Sequence, residues 1–137
     1  MTQIKDIMTP NPQTLAPDAT LQAAAQAMQQ HDIGSLPVCE AGKPLGIVTD
    51  RDIAVRGVAK GLAASSAARD VMTSELRTCH ADHTVEQVLA AMGDAQVRRL
   101  LVVDDAGKLV GIVALGDLAT RQSKDVDEAL REISRPG

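Results

Sequence analysis

Two stretches of the chain carry apolar residues at the spacing of an amphipathic helix. In each stretch apolar side chains recur at i, i+3, i+4 and i+7, which places them on one face of a helix. Thr20 and Thr84 precede the stretches as N-caps, and Gln87 after Thr84 indicates a capping box. The two stripes consist of Leu21, Ala24, Ala25 and Met28, and of Val85, Val88, Leu89 and Met92.

Short apolar runs on either side of these helices predict strands. Each helix follows a brief extended stretch and precedes two apolar runs that a Gly-Lys turn separates. The last run leads into a second helix, which is expected to begin near Arg51 in one half and near Gly116 in the other. The predicted strands are residues 13–15, 36–39 and 45–48, then 77–79, 100–103 and 109–113. This order, β-α-β-β-α, is typical of an α+β unit.

The two halves of the chain repeat one another. Residues 4–56 align with residues 68–121 with a single one-residue slip. Before the slip Ile7-Met8-Thr9 corresponds to Val71-Met72-Thr73, and after it Gly46-Ile47-Val48 corresponds to Gly111-Ile112-Val113. Two such units bury their apolar faces most simply against each other. We therefore expect a tandem pair related by a pseudo-two-fold axis, in which any cleft between the copies exists twice.

The chain of 137 residues is long enough for one compact module. Residues 1–66 are expected to hold the first repeat and a connector, and residues 67–122 the second repeat. The connector, residues 57–66, is rich in Ala, Gly and Ser and is expected to be partly helical. Residues 123–137 are expected to form an additional C-terminal amphipathic helix that packs on its own body or on a second subunit. Its apolar stripe consists of Val126, Ala129, Leu130 and Ile133.

Composition argues against several classes of partner. The formal net charge is −4, basic residues do not cluster, and the chain has no Phe, Tyr or Trp. Nucleic-acid binding normally needs a positive surface and often aromatic stacking platforms, so we expect no nucleic-acid partner. No apolar run is long enough to cross a bilayer and the first residues do not resemble a secretion signal, which predicts a cytoplasmic protein without a membrane partner.

The cysteines and histidines give weak signals. Cys39 and Cys79 correspond to Val103 and Leu15 in the other copy and are interpreted as small core residues, with a disulfide or redox role as the alternative. His80 and His83 form an H-x-x-H pair in a polar turn, for which solvent exposure is the favoured interpretation. No catalytic constellation has a credible spacing, so we expect no enzyme activity, no catalytic residue, no metal site and no cofactor.

The segment from Gly46 to Asp52 carries the most specific chemistry. A buried strand ends at a glycine and two branched residues, and then Thr49 precedes a helix whose first turn contains Asp52. A helix N-terminus suits phosphate, and a carboxylate beside it can accept both hydrogen bonds of a ribose diol. Alternatively, Thr49 caps the helix and Asp52 interacts with its dipole. The residues by themselves leave both alternatives open.

These motifs resemble those of the CBS-domain family, named after cystathionine β-synthase. The resemblance covers nearly the whole chain apart from the terminal helix, and several motifs recur in order in both copies. They are Ile7-Met8-Thr9-Pro10, Val71-Met72-Thr73, His31-Asp32-Ile33-Gly34-Ser35-Leu36-Pro37-Val38 and Gly46-Ile47-Val48-Thr49-Asp50-Arg51-Asp52-Ile53.

The resemblance implies a regulatory two-repeat module that dimerises into a flat disc and binds adenosine compounds between its repeats. Such ligands include AMP, ADP, ATP, S-adenosylmethionine and NAD. Gly46, Thr49 and Asp52 match the ligand-binding pattern of the family fully. In the second copy Gly111 and Asp117 match it, whereas Ala114 replaces the hydroxyl residue.

A pair of arginines adds a second asymmetry. Arg98 and Arg99 resemble the basic pair that contacts ligand phosphates in nucleotide-sensing members of the family, and their counterparts are the uncharged Gly34 and Ser35. Since arginine suits phosphate, both arginines are assigned to the cleft of Thr49 and Asp52. This predicts one strong site there. A second, weaker cleft is assigned Gly111, Asp117 and Arg121. The counterparts of the arginine pair at this cleft are the uncharged Gly34 and Ser35.

Further ligand contacts are assigned with less support. Arg56 either pairs with Asp52 along the helix or reaches into the cleft. Because aromatic residues are missing, adenine has to be held by backbone and apolar groups, and the assigned residues are Thr14, Leu15, Ala16 and Val38.

The leading hypothesis is therefore a regulatory sensor of an adenine nucleotide, AMP, ADP or ATP. It is expected to form a homodimer and to transmit its ligand state to an unidentified effector protein. The alternative is a ligand-free module for dimerisation or protein interaction.

Overall fold

The computed structural model of this chain describes residues 2–120. The predicted C-terminal helix, residues 123–137, and Arg121 lie outside the described residues, so the structure gives no information on either prediction.

Each half of the chain folds as the α+β unit that its pattern predicts, except that the strand predicted for residues 13–15 is reduced to an isolated bridge between Leu15 and Val38. The strands of the first half are β1 (Thr9–Pro10), β2 (Ser35–Glu40) and β3 (Lys43–Thr49), and its helices are α1 (Leu21–His31) and α2 (Asp50–Asp52). The second half contains β4 (Thr78–His80), α3 (Val85–Ala95), β5 (Arg99–Val103) and β6 (Leu109–Ala114), and residues 115–120 are again helical. The predicted fold class, a tandem pair of α+β repeats, is confirmed.

Short helical turns complete the two halves. A 3-10 turn opens each half, over Ile4–Asp6 and Ala68–Asp70. After α2 the chain continues as a π-helix over Ile53–Gly57 and a 3-10 turn over Val58–Lys60, so part of the connector is helical, as predicted.

The helix caps follow the sequence closely. The Thr20 hydroxyl accepts a hydrogen bond from the amide of Ala23 at 3.0 Å, and the Thr84 hydroxyl accepts one from the amide of Gln87 at 3.2 Å. The Gln87 side chain in turn accepts from the amide of Thr84 at 2.8 Å, which completes the predicted capping box. Asp32 and Gln96 end the two helices in the left-handed conformation, with φ of 53° and 56°.

The sheets join the two repeats by exchanging their opening segments. β2 and β3 form one antiparallel hairpin, whereas the other sheet has the order β1-β6-β5-β4. In that sheet Thr9 of the first repeat pairs with Ile112 of the second. Reciprocally, Thr73 of the second repeat exchanges backbone hydrogen bonds of 3.0 and 2.9 Å with Ile47 of the first. Each repeat therefore contributes the start of its own chain to the other repeat's hairpin.

The hydrophobic cores show the same exchange. Ile4, which opens the first repeat, is fully buried with α3 and β5 in the core of the second. Ala68 and Val71, which open the second repeat, are buried with α1 and β2 in the core of the first. Neither core is complete without the opening segment of the other repeat, so the burial of apolar area couples the two halves.

Two equivalent glycines allow this close approach. A Cβ atom on Gly46 would lie 2.7 Å from the carbonyl oxygen of Thr73 and 2.8 Å from the sulfur of Met72. A Cβ atom on Gly111 would lie 2.9 Å from Cγ of Met8 and 3.1 Å from the carbonyl oxygen of Thr9. Both glycines therefore have a packing function at the contact between repeats.

We expect Gly46→Ala to destabilise the fold by about 1–3 kcal/mol, because the new methyl group overlaps backbone that is fixed by hydrogen bonds. The matched control is Gly93→Ala in α3, where a Cβ atom meets nothing within 4 Å. The control should be neutral or raise the free energy of unfolding by up to about 1 kcal/mol, since alanine favours helix over glycine. Urea titrations followed by circular dichroism measure both variants, and equal stabilities would contradict the close-packing role.

The two cysteines are free and differ in burial. Cys79 is 3% exposed and belongs to the second core, whereas Cys39 is only partly buried at the end of β2. Burial raises the pKa of the Cys79 thiol from 9.0 to about 11. The core interpretation is thus confirmed for Cys79 and only partly for Cys39.

The shifted pKa of Cys79 predicts a loss of stability in alkali. Below pH 9.0 the Cys79 thiol is neutral in the folded and unfolded states, so its contribution to the free energy of unfolding is constant. Between pH 9.0 and about 11 only the unfolded chain releases the proton, and the free energy of unfolding therefore falls as pH rises. Cys79→Val should therefore lose less stability across this interval than the wild type does. Urea titrations at a series of pH values test this, and parallel pH profiles for the two proteins would contradict it.

Candidate ligand clefts between the repeats

Thr49 and Asp52 form a reciprocal cap at the start of α2. The Thr49 hydroxyl accepts a hydrogen bond from the Asp52 amide at 3.0 Å, and Oδ2 of Asp52 accepts one from the Thr49 amide at 3.0 Å. The structure therefore contains the helix cap that the alternative interpretation of Thr49 and Asp52 predicts. The cap also fixes the carboxylate at the strand-to-helix turn, where its exposed fraction is 13%. Binding of ribose by the same carboxylate stays a prediction.

Arg56 extends this arrangement toward the second repeat. Its Nε lies 3.8 Å from Oδ1 of Asp52, and its Nη1 donates a hydrogen bond of 3.4 Å to the carbonyl oxygen of Met72. Of the two alternatives for Arg56, the structure contains the pairing along the helix. Because Met72 belongs to the exchanged opening segment, the cap of α2 is also connected to the contact between repeats.

A cavity of about 510 Å³ lies between the repeats on the side of Asp117. Asp117, Ala114 and Arg99 come from the second repeat, and Gly34 and Ser35 come from the first. The expectation that this cleft lacks both Arg98 and Arg99 is wrong, because Arg99 lies on its wall. The relative affinity of the two clefts for a ligand stays a prediction, but the cavity is at the cleft expected to be the weaker.

The position equivalent to Arg98 in the first repeat is Gly34. The Asp50 amide donates to the Gly34 carbonyl at 3.0 Å, and the equivalent Leu115 amide donates to the Arg98 carbonyl at 2.7 Å. Gly34 and Arg98 are thus equivalent in structure as well as in sequence. Since Gly34 lines the Asp117 cavity, the assignment of Arg98 to the cleft of Asp52 is consistent with the pseudo-two-fold relation and stays a prediction.

The residues assigned to adenine lie beside the Asp117 cavity, away from Asp52. Thr14, Leu15 and Ala16 line a depression of about 450 Å³ that shares wall residues with this cavity. Val38 is 0% exposed in the first core, which leaves no surface of this residue for a ligand. The assignment of adenine to Thr14, Leu15 and Ala16 stays a prediction, and the structure places these residues next to the Asp117 cavity.

The remaining residues of the second cleft differ in role. Gly111 is buried against Met8 of the exchanged segment, whereas Asp117 is exposed at the cavity. Sequence reasoning did not assign His31 and Asp32 to the site, although both line the cavity. Their position just before the Ile33-Gly34-Ser35 motif was the available signal.

Within residues 2–120, no three His, Cys, Asp or Glu side chains are grouped so that they could hold a metal ion. His80 and His83 pack edge to face with their ring centres 5.3 Å apart, and His83 accepts a hydrogen bond from the His80 amide at 3.3 Å. In the same part of the chain, no helix is long and apolar enough to span a membrane.

Comparison with known proteins agrees with this architecture. YhcV of Bacillus subtilis, a CBS domain-containing protein, is 42% identical over 136 residues, which are 98% of this chain and 96% of YhcV. The crystal structure of Hypoxic Response Protein I with two coordinated zinc ions is 36% identical, with a TM-score of 0.78, and covers 87% of this chain and 98% of its own.

A third relative holds adenosine ligands. The crystal structure of the CBS domain pair of protein MJ0100 in complex with 5′-methylthioadenosine and S-adenosyl-L-methionine is 30% identical, with a TM-score of 0.80, and covers 91% of this chain and 98% of its own. The family model of the CBS domain matches residues 4–57 and 68–124. The repeat, the exchanged fold and these matches together place the chain in the CBS-domain family.

Proposed function

We propose that this CBS pair is a regulatory module that binds an adenine nucleotide, AMP, ADP or ATP, in the cavity between its repeats. The observation that carries the proposal is the cavity of about 510 Å³ in which Asp117 and Arg99 face one space. Its volume lies within the range of roughly 300–1,000 Å³ that is common for small-molecule sites. The MJ0100 domain pair, whose structure contains adenosine compounds, supports the ligand class.

The two charged side chains match two parts of a nucleotide. The carboxylate of Asp117 can accept both hydrogen bonds of a ribose diol, and the guanidinium of Arg99 can donate two parallel bonds to a phosphate. Among residues 2–120 no salt bridge includes Asp117 or Arg99. Both side chains are exposed at the cavity.

The adenine is assigned to the adjoining depression of Thr14, Leu15 and Ala16. Backbone groups and aliphatic side chains supply its contacts, since the chain has no aromatic residue. This division gives the base and the phosphate neighbouring but separate spaces.

Binding at this place connects the ligand to the arrangement of the repeats. Thr9 of the exchanged segment lines the same cavity and pairs with Ile112 of β6, which lines it too. A ligand that contacts both repeats stabilises the arrangement that binds it best, and an effector protein can recognise that arrangement.

A homodimer is the second part of the proposal. Val55, Val58 and Leu62 form an exposed apolar stripe after α2, with exposed fractions of 50%, 71% and 37%. A second copy of the chain that covers this stripe would remove its apolar surface from water. The same stripe favours the alternative of a ligand-free dimerisation module if the cavity proves to bind no nucleotide.

Isothermal titration calorimetry with AMP, ADP, ATP, NADH and S-adenosylmethionine tests the ligand. We expect binding of at least one adenine nucleotide, and a reduction of its affinity by at least about 10-fold in Asp117→Ala, because the ribose loses a charged acceptor. Heat is the suitable signal, since the chain has no aromatic fluorophore.

Asp52→Ala is the matched variant for the other cleft. Loss of binding in Asp52→Ala but not in Asp117→Ala would move the site to the cleft that the sequence favours. Absence of binding for every compound at micromolar concentration would contradict the sensor function and support the dimerisation module.

Val58→Asp tests the dimer. A carboxylate on this stripe would have to be desolvated in the interface, so we expect the dimer to dissociate with a Kd raised by roughly 10-fold or more. Sedimentation equilibrium measures the mass, with Ala106→Asp in an exposed turn as the control. A monomeric wild type, or a Val58→Asp protein that dimerises as the wild type does, would exclude this interface.

A further inference from the structure

Asp32 is an acidic residue on the wall of the Asp117 cavity that the proposed ligand contacts do not use. It lies in the first repeat, directly after α1, and it is exposed. No salt bridge within residues 2–120 includes it. The negative charge of its carboxylate is therefore not offset by a paired cation in this part of the chain.

The fold does not need a charge at this position. Asp32 ends α1 in the left-handed conformation, with φ of 53°, and its amide donates a hydrogen bond to the carbonyl oxygen of Met28. Gln96 ends α3 in the same conformation, with φ of 56°, and its amide donates to the equivalent carbonyl oxygen of Met92. Because the C-terminal end of a helix carries a partial negative charge, a carboxylate there is less favourable than a neutral side chain. The helix thus gives no reason for the carboxylate of Asp32, whereas the cavity that it lines does.

The charged groups of the cavity wall balance a single phosphate. Among the residues within 2–120 that line the cavity, Arg99 is the one arginine or lysine, and Asp32 and Asp117 are the carboxylates. Asp117 is assigned to the ribose and Arg99 to one phosphate. A second or third phosphate would meet the carboxylate of Asp32 and no further arginine or lysine of this part of the wall.

We propose that Asp32 is a specificity-determining residue, which selects a nucleoside monophosphate, AMP, over ADP and ATP in this cavity. The inference rests on the proposed function and names the ligand within its class. A cavity of about 510 Å³ is roughly 10 Å across, so a further phosphate inside it lies within Coulomb range of Asp32. At about 8 Å, an effective dielectric constant of about 20 and physiological ionic strength, one pair of like charges lowers the affinity by roughly 3- to 30-fold.

Calorimetric titrations of the full chain with AMP, ADP and ATP, in buffer without divalent cations, test the inference. We expect the wild type to bind AMP at least about 10-fold more tightly than ATP, because ATP brings two additional phosphates. In Asp32→Asn this ratio should fall by at least about 3-fold, with most of the change in the affinity for ATP. Asparagine accepts the left-handed conformation, so the end of α1 is preserved.

Asp32→Gln is a second variant, which places at the end of α1 the residue type that ends α3, and it should shift the ratio in the same direction. Asp94→Asn is the matched control. Asp94 is an exposed residue of α3 that lines a separate depression. The control therefore removes one negative charge from the chain outside the cavity, and it should keep the ratio of the wild type.

A wild type that binds ATP as tightly as AMP would overturn the inference and leave the nucleotide function intact. An unchanged ratio in both Asp32 variants, or an equal change in Asp94→Asn, would overturn it in the same way. Absence of heat with all three nucleotides for every protein would instead remove the proposed function on which it rests.

Discussion

The close contact between each opening segment and the hairpin of the opposite repeat is the constraint on which the rest of the structure depends. The Met-Thr backbone passes directly over Gly46 in one repeat and over Gly111 in the other, where a Cβ atom would overlap it. The contact brings Ile4 into the second core and Val71 into the first. Each apolar core is therefore assembled from both repeats, and neither repeat can bury its apolar face alone.

The same exchange forms the clefts. Because Thr9 pairs with β6, the residues that follow Thr9 line the cavity. Its opposite side is formed by Ala114 at the end of β6 and by Asp117 in the helix after it. The walls of one cavity are thus the start of the first repeat and the end of the second. A ligand in this space contacts both halves, which is a physical basis for coupling between ligand binding and the arrangement of the pair.

The two clefts differ because the repeats have diverged at a few positions inside a symmetric frame. In the first repeat Thr49 and Asp52 cap α2, and Arg56 connects that cap to Met72 of the second repeat. In the second repeat Ala114 leaves Asp117 without the equivalent partner. The first carboxylate is therefore bound within the protein, and the second faces the cavity. The motif of Thr49 and Asp52 matches the family pattern fully in sequence. In the structure, however, some of its hydrogen-bonding groups are already paired within the protein.

Local interactions could be predicted well from the sequence. The stripes of α1 and α3, the caps at Thr20 and Thr84 and the hairpins with Gly-Lys turns depend on contacts between residues close in the chain, and the structure contains all of them. Residues whose role depends on distant partners were harder to place. Val38 matched a strand pattern next to a ligand motif, yet it is sealed in the core, and Arg99 was assigned to one cleft although it lines the other.

By itself the sequence determined the repeat unit, its helix caps, its turns and the types of residue that meet at each strand-to-helix junction, because hydrogen bonds and apolar periodicity within a few residues specify them. Only the tertiary structure decided which opening segment completes which core and that Arg99 lines the Asp117 cavity. Both depend on contacts between residues that are far apart in the chain, such as Thr9 with Ile112 and Ile47 with Thr73, and the pattern of a repeat does not show whether it pairs with itself or with its twin. The close approach at Gly46 and Gly111 gives the physical reason for the exchange, since it allows each repeat to bury the apolar start of the other.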